Sequence, residues 1–173
     1  MFNQERLLND AQQYADLGSK VTLKQIPNKG IGLISTQNIA KGEIIAYYKI
    51  TVFSKNKYIS PTNEIYSFAI YRKNGEEYKR IIGDIDETSF PPPQNGITFW
   101  APFANEPSVG QAINAQIDTN KNGNFFRLGR NYAQLGDDLI YNLVAIKDIP
   151  TGEEILWYYG GSYERDYQLG KIK

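Results

Sequence analysis

A chain of 173 residues with a hydrophobic fraction of 41% is long enough to bury one core, so a single domain is expected. Its 19 basic and 19 acidic residues cancel, which leaves no global field toward nucleic acid; a basic partner would have to meet a local acidic patch. With no cysteine and no histidine, the chain excludes disulfides, thiolate nucleophiles, cysteine-built zinc cages, Ser-His-Asp hydrolysis and histidine acid–base catalysis.

The N-terminal stretch is charged and amphipathic, and no apolar run reaches the length of a membrane span, so an intracellular location, cytoplasmic or nuclear, is expected. Leu7, Leu8, Ala11, Tyr14 and Ala15 fall near one helical face ahead of Gly18, which predicts a docking helix within residues 1–20. From Val21 the pattern changes. Val21, Leu23 and Ile26, then Ile31 and Leu33, then Ile44 and Ile45 form short runs broken by Pro27, Gly30, Gly32 and Gly42, the signature of short strands and tight turns. The run Phe90-Pro91-Pro92-Pro93-Gln94-Asn95-Gly96 predicts a stiff loop between two halves. Beyond it come apolar stretches over 97–103 and 112–117, a hairpin turn over 120–124 with a return strand over 125–128, a branched apolar run over 139–146, and a last helical turn over 163–167. No internal repeat is read. The fold class expected is mainly β with short helices, closer to a folded ribbon of small sheets than to a βαβ unit.

Three blocks carry chemistry. The first is Lys29-Gly30-Ile31-Gly32-Leu33, followed by Ile39-Ala40-Lys41-Gly42-Glu43-Ile44-Ile45 and Tyr48. The second is Phe103-Ala104-Asn105-Glu106-Pro107-Ser108 with Asn114-Ala115 beyond it. The third runs from Ala145 through Pro150-Thr151-Gly152-Glu153-Glu154-Ile155 to Tyr158-Tyr159-Gly160. Each glycine alone is read as a turn former, since glycine reaches positive φ without steric cost. Taken together and in this order, over 21–160, the blocks resemble the SET-domain protein lysine methyltransferases.

That resemblance implies a SET-domain fold over 21–161 with a knot-like threading of its C-terminal part, S-adenosyl-L-methionine as cofactor, and a lysine of a protein or peptide, a histone among the frequent family substrates, as methyl acceptor. It implies that the backbone of Gly30, Ile31, Gly32 and Leu33 lies against the cofactor, and that Asn105 binds it. Glu106 stands where the family usually has histidine; its backbone would serve, and its carboxylate would face solvent or bond the adenine amino group. Asn114 is either carried over to the cofactor site or a satisfied buried amide in the crossing.

By the same resemblance Tyr159 and Tyr66 are the catalytic tyrosines, Tyr66 also lining the cofactor and lysine channel, with Phe68 as a further wall. Trp157 occupies the position that limits how many methyl groups fit, and its bulk favours few. Tyr48 is read as core packing. Tyr158 replaces the acidic residue that commonly precedes the catalytic tyrosine. The zinc module that closes some members needs cysteines this sequence lacks, so Tyr163, Tyr167 and the segment 162–173 are expected to close the site. No metal site is expected.

Asp84, Asp86 and Glu87, with Asp137 and Asp138, are read as solvated loop residues that could attract a basic peptide, and Glu153 and Glu154 as neighbours on opposite faces of a strand. Two other functional classes stay open on these residues. Glu106 and Tyr158 motivate a SET-like module that holds a peptide without catalysis, and a tyrosine-rich structural β-domain could match the blocks by chance.

Overall fold

The structure, a computed structural model, describes residues 4–13, 20–60, 62–72, 74–118 and 132–173. The expected hairpin over 120–128, and Tyr14, Ala15 and Gly18 of the docking segment, lie outside the described residues. Helix α1 (Gln4–Gln12) buries Leu7 and Ala11, one turn apart on the same face. Strands β1 (Val21–Ile26) and β2 (Gly30–Ser35) form an antiparallel pair, and Lys29 N–H bonds the Ile26 carbonyl to close the turn between them.

The main sheet is built on β3 (Ile44–Ser54) and contains β4 (Phe68–Tyr71), β5 (Glu77–Asp84), β6 (Ala115–Asp118) and β7 (Asp138–Ala145), ordered β4-β5-β3-β7-β6 with antiparallel neighbours. In β7 the buried side chains alternate as Leu139, Tyr141, Leu143 and Ala145, as a strand with one covered face requires. The fold is thus mainly β, as expected.

The stretch 97–103 holds no strand; it ends in a 3-10 turn, Ala101–Phe103, because Pro102 has no N–H to give a ladder. Two expectations are corrected, the helical turn over 163–167 and the lack of an internal repeat. The segment 163–167 is not helical but runs through bends, its side chains committed to other elements. An internal correspondence also exists that the sequence reading missed. Residues 35–45 and 145–155 are partners related by a local two-fold: Ile39 and Ile149 exchange both backbone bonds at 2.8 Å, Gly42 N–H bonds Ala145 O while Gly152 N–H bonds Ser35 O, and Ser35 N–H bonds Glu153 O while Ala145 N–H bonds Glu43 O. Even the side chains correspond, since Asp148 Oδ1 accepts from Lys41 N–H and Asn38 Oδ1 from Thr151 N–H. Gly42 and Gly152 have φ of 90° and 89°, so each serves the same left-handed turn, which a side chain would strain.

This pairing carries the third block to the first. Past Gly152 the chain runs antiparallel to β2, with Ile155 N–H on Leu33 O, and then between two neighbours. On one side Asn105 pairs in parallel with Leu156; on the other, Asn114 and Ala115 N–H both bond Leu156 O. The Asn114 side chain seals that crossing, donating to Glu154 O and accepting from Leu156 N–H, and so fills the structural role of a satisfied buried amide.

Candidate active site

A cavity of about 1010 Å³ lies where the first and third blocks, the second block, β4 and the C-terminal segment meet. Its lining includes Gly30, Ile31, Tyr66, Phe68, Asn105, Glu106, Trp157 and Tyr159, eight of the residues singled out from the sequence. Gly32 and Leu33 lie outside that lining, and Leu33 is a core side chain with no exposure. Gly32 instead permits a close approach: a Cβ there would sit 2.6 Å from Ile26 Cγ1 and 2.9 Å from Asn105 Nδ2. The Asn105 amide can then donate to Ile31 O at 3.2 Å and Glu154 Oε1 at 3.1 Å, fixing the turn backbone. Lys29 braces the same corner, donating to Glu106 O, Gln111 Oε1 and Glu154 Oε2. Glu153 is exposed while Glu154 points inward, in agreement with opposite faces.

The aromatic part is organised around Phe68. Tyr48 and Tyr141 meet its ring edge-on at 4.8 and 5.5 Å between centroids, and Trp157 stacks on it at 6.2 Å. Trp157 is held by an indole N–H bond to Ala104 O, the same carbonyl that accepts from the Tyr159 hydroxyl at 2.8 Å. Tyr48 is core, only 2% exposed, with its hydroxyl on Tyr66 O, yet it also borders the cavity. Burial, and then the neighbouring Tyr66 and Tyr159, hold the Tyr48 phenol well above its ordinary range. Burial does the same to Tyr159, helped by Tyr167, Tyr66, Tyr163 and Glu106. Both remain neutral phenols across the physiological range.

Glu106 does not face solvent; its carboxylate is turned to donors of the protein itself. It is 3% exposed, and its two oxygens accept from Arg165 Nε (2.8 Å) and Nη2 (2.5 Å), the Tyr159 backbone N–H (2.8 Å) and the Tyr167 hydroxyl (2.7 Å). Burial pushes its pKa up, but Arg165, the Tyr159 N–H and Tyr167 together outweigh burial, and the net shift is downward. Tyr158, in the place of an acidic residue, lies against the Arg165 guanidinium, 5.5 Å from ring centre to Cζ, and Tyr163 flanks it at 5.3 Å.

Asp84 corrects the reading of the acidic cluster. It is fully buried, accepting from the Tyr58, Ser60 and Thr62 hydroxyls and from Ile85 N–H. Asp86 is a loop residue as expected, capping Thr88 N–H, whereas Asp138 is not in a loop but opens β7 and pairs with Lys49 at 3.4 Å. Among the described residues no group of three or more Asp, Glu, His or Cys is placed to hold a metal. Two participants went unread in the sequence: Tyr141, whose one signal was its register in β7, and Arg165, for which an unpaired Glu106 was the only hint.

The chain is similar to a Plasmodium falciparum protein put forward as a histone methyltransferase, at 17% identity over 84% of this chain and 96% of that one, with a TM-score of 0.50. It is also similar to the methyltransferase domain of human PR domain-containing protein 2, at 16% identity over 96% and 92% of the two chains, with a TM-score of 0.48. No curated protein matches. The sequence model of the SET domain matches residues 30–160, a span that begins at the first glycine of the cavity's turn and ends just beyond Tyr159. That match covers most of the sequence and takes in all three blocks but for Lys29: the chain belongs to the SET-domain family.

Proposed function

We propose that the chain transfers methyl groups from S-adenosylmethionine to a lysine side chain of an intracellular protein, with histones as the first substrates to try. The observation that carries this reading is one cavity shared by the Gly30-Ile31 backbone, Asn105 and the rings of Tyr66, Phe68, Trp157 and Tyr159. Its volume, about 1010 Å³, is at the upper end of the roughly 300–1,000 Å³ usual for small-molecule sites, room for a cofactor and an inserted side chain together.

Gly30 and Ile31 would hold the cofactor through backbone groups, supported from behind by Gly32 and Leu33 and braced by Asn105. When bound, S-adenosylmethionine supplies an electrophilic methyl carbon on a cationic sulfur, open to in-line displacement by an amine. The protein's task is alignment, exclusion of water and control of protonation. Making a lysine neutral costs about 4 kcal/mol near neutral pH, and apolar walls such as Phe68 and Trp157 lower that cost by disfavouring the ammonium. Tyr159, held neutral by burial, does not take the proton, which leaves to water. Its hydroxyl donates to Ala104 O and keeps a lone pair to accept from the amine or from a polarised methyl C–H. Trp157, locked by Phe68 and Ala104, favours stopping after few methyl groups.

Calorimetry with S-adenosylmethionine should give saturable binding, retained within about threefold by Tyr159→Phe. Radiolabelled methyl transfer to a panel of basic proteins, histones included, should fall at least tenfold in that variant. Absence of saturable binding would sink the reading. Binding without transfer to any panel member would favour a SET-like module that holds a peptide without catalysis.

A further inference from the structure

Glu106, Tyr158 and the missing zinc closure, read separately as departures from the family pattern, meet at one side chain. Arg165 forks onto the Glu106 carboxylate, donates two further N–H groups to Gly160 O and Tyr163 O at 3.0 Å, and lies against the Tyr158 and Tyr163 rings. A fork of this kind is the strongest geometry that guanidinium and carboxylate offer, and here Glu106's side chain is 1% and Arg165's 14% exposed.

Two features give the contact a purpose. First, the segment carrying Arg165 also carries Tyr163, Asp166, Tyr167 and Gln168, all of which line the cavity. Its far end is separately fixed: Gly170 N–H bonds Pro107 O, Lys171 N–H bonds Gln111 O, and a Cβ on Gly170 would lie 2.2 Å from both Ser108 O and Gln111 O. Second, Glu106 Oε1 takes both Arg165 Nη2 and the Tyr159 backbone N–H, so one oxygen joins the segment to the tyrosine of the site. Tyr163 completes the link, meeting the Tyr159 ring edge-on at 4.9 Å.

We propose that Arg165 on Glu106 is the clasp that holds the expected closing arm, residues 162–173, against the cavity, and that Glu106 is a positioning residue for Tyr159. The arm rests on reading the cavity as the methyl-transfer site; the clasp does not. Four donors saturate the Glu106 carboxylate, so its role is internal. Tyr158 belongs to the same set, because a ring, unlike a carboxylate there, covers the guanidinium without competing with Glu106 for it.

The test uses the full chain, with amide exchange followed by NMR and S-adenosylmethionine affinity by calorimetry. In Arg165→Gln the Gly170 and Lys171 amides should exchange at least tenfold faster, with cofactor Kd at least tenfold weaker. Glu106→Gln keeps an oxygen for the Tyr159 N–H while weakening the hold on Arg165, so it should free the arm but leave the Tyr159 amide protected. Glu106→Ala should release both. Gly170→Val loosens the arm with the clasp residues intact and should weaken cofactor binding by itself. Unchanged arm exchange in Arg165→Gln overturns the clasp. Equal Tyr159 protection in Glu106→Ala and Glu106→Gln overturns the positioning role. Native cofactor affinity in Arg165→Gln and Gly170→Val, with the arm freed, overturns the closing role. If the native chain binds no S-adenosylmethionine, the methyl-transfer reading and the closing role fall with it, while the exchange measurements still decide the clasp.

Discussion

Glu106 and Asp84 are both buried carboxylates, 3% and 0% exposed, and the protein treats them in opposite ways. Glu106 meets a guanidinium fork, a backbone N–H and a phenol, and its pKa falls despite burial. Asp84 meets three hydroxyls and a backbone N–H, and burial outweighs them, so its pKa rises. The two have similar numbers of donors; what differs is whether one carries full charge. Glu106 works as an anion that holds a cation in place, whereas Asp84 works as a hub of hydrogen bonds tying Tyr58, Ser60 and Thr62 to β5. The first joins parts of the cavity wall and the second fixes the segment leading to Tyr66.

Breaking the two sites should reveal this difference in size. Glu106→Ala strands a largely buried guanidinium and should cost about 3 kcal/mol in denaturant unfolding, since removing one partner of a buried pair leaves the other uncompensated. A loss under 1 kcal/mol would mean that water reaches Arg165 and replaces the pair. Asp84→Asn keeps the shape and acceptor of the hub, and the hydroxyls around it can reverse their direction, so about 1 kcal/mol is expected. If Asp84→Asn cost as much as Glu106→Ala, charge would matter at both sites and the contrast would fail.

The parts of this molecule that were legible in the sequence are those written in contiguous residues. Gly30-Ile31-Gly32 and Gly152-Glu153-Glu154 announce turns because backbone conformation is a local property, and the ordered blocks led to the family. The two-fold pairing of residues 35–45 with 145–155 was hidden, since only Ile39, Gly42, Glu43 and Ile45 repeat identically as Ile149, Gly152, Glu153 and Ile155, and the register is set by long-range backbone bonds. Glu106 was visible as an odd residue, but its partner lies 59 positions away in a tail with no periodic pattern. Asp84 was misread for a related reason. It stands beside Ile85-Asp86-Glu87, a run that looks like solvated surface, and only the end of β5 turns its side chain toward Tyr58 and Thr62. The tail was expected to be helical from its Tyr-Glu-Arg-Asp-Tyr composition, yet Tyr163, Arg165 and Tyr167 each meet separate tertiary partners, which override local propensity.

The smallest effect, and the sharpest discriminator, is a change of slope with pH. Glu106 is faced by Arg165, Tyr159 N–H and Tyr167, with Lys29 on its backbone carbonyl, and its pKa is depressed. Its contribution is therefore present above the ordinary glutamate value of about 4.3 and is lost as pH falls through the folded value. Asp84, faced by Tyr58, Ser60, Thr62 and Ile85 N–H, has a raised pKa. Its contribution is complete below the ordinary aspartate value of about 3.9 and is lost as pH rises through the folded value. In the native chain the two trends oppose each other across the carboxylate range. Unfolding free energies measured from about pH 3 to 6 should thus decline more steeply toward acid in Asp84→Asn than in the native chain, and less steeply in Glu106→Gln. Slopes that move together in the two variants would show that both carboxylates are held as anions, and the distinction between clasp and hub would collapse.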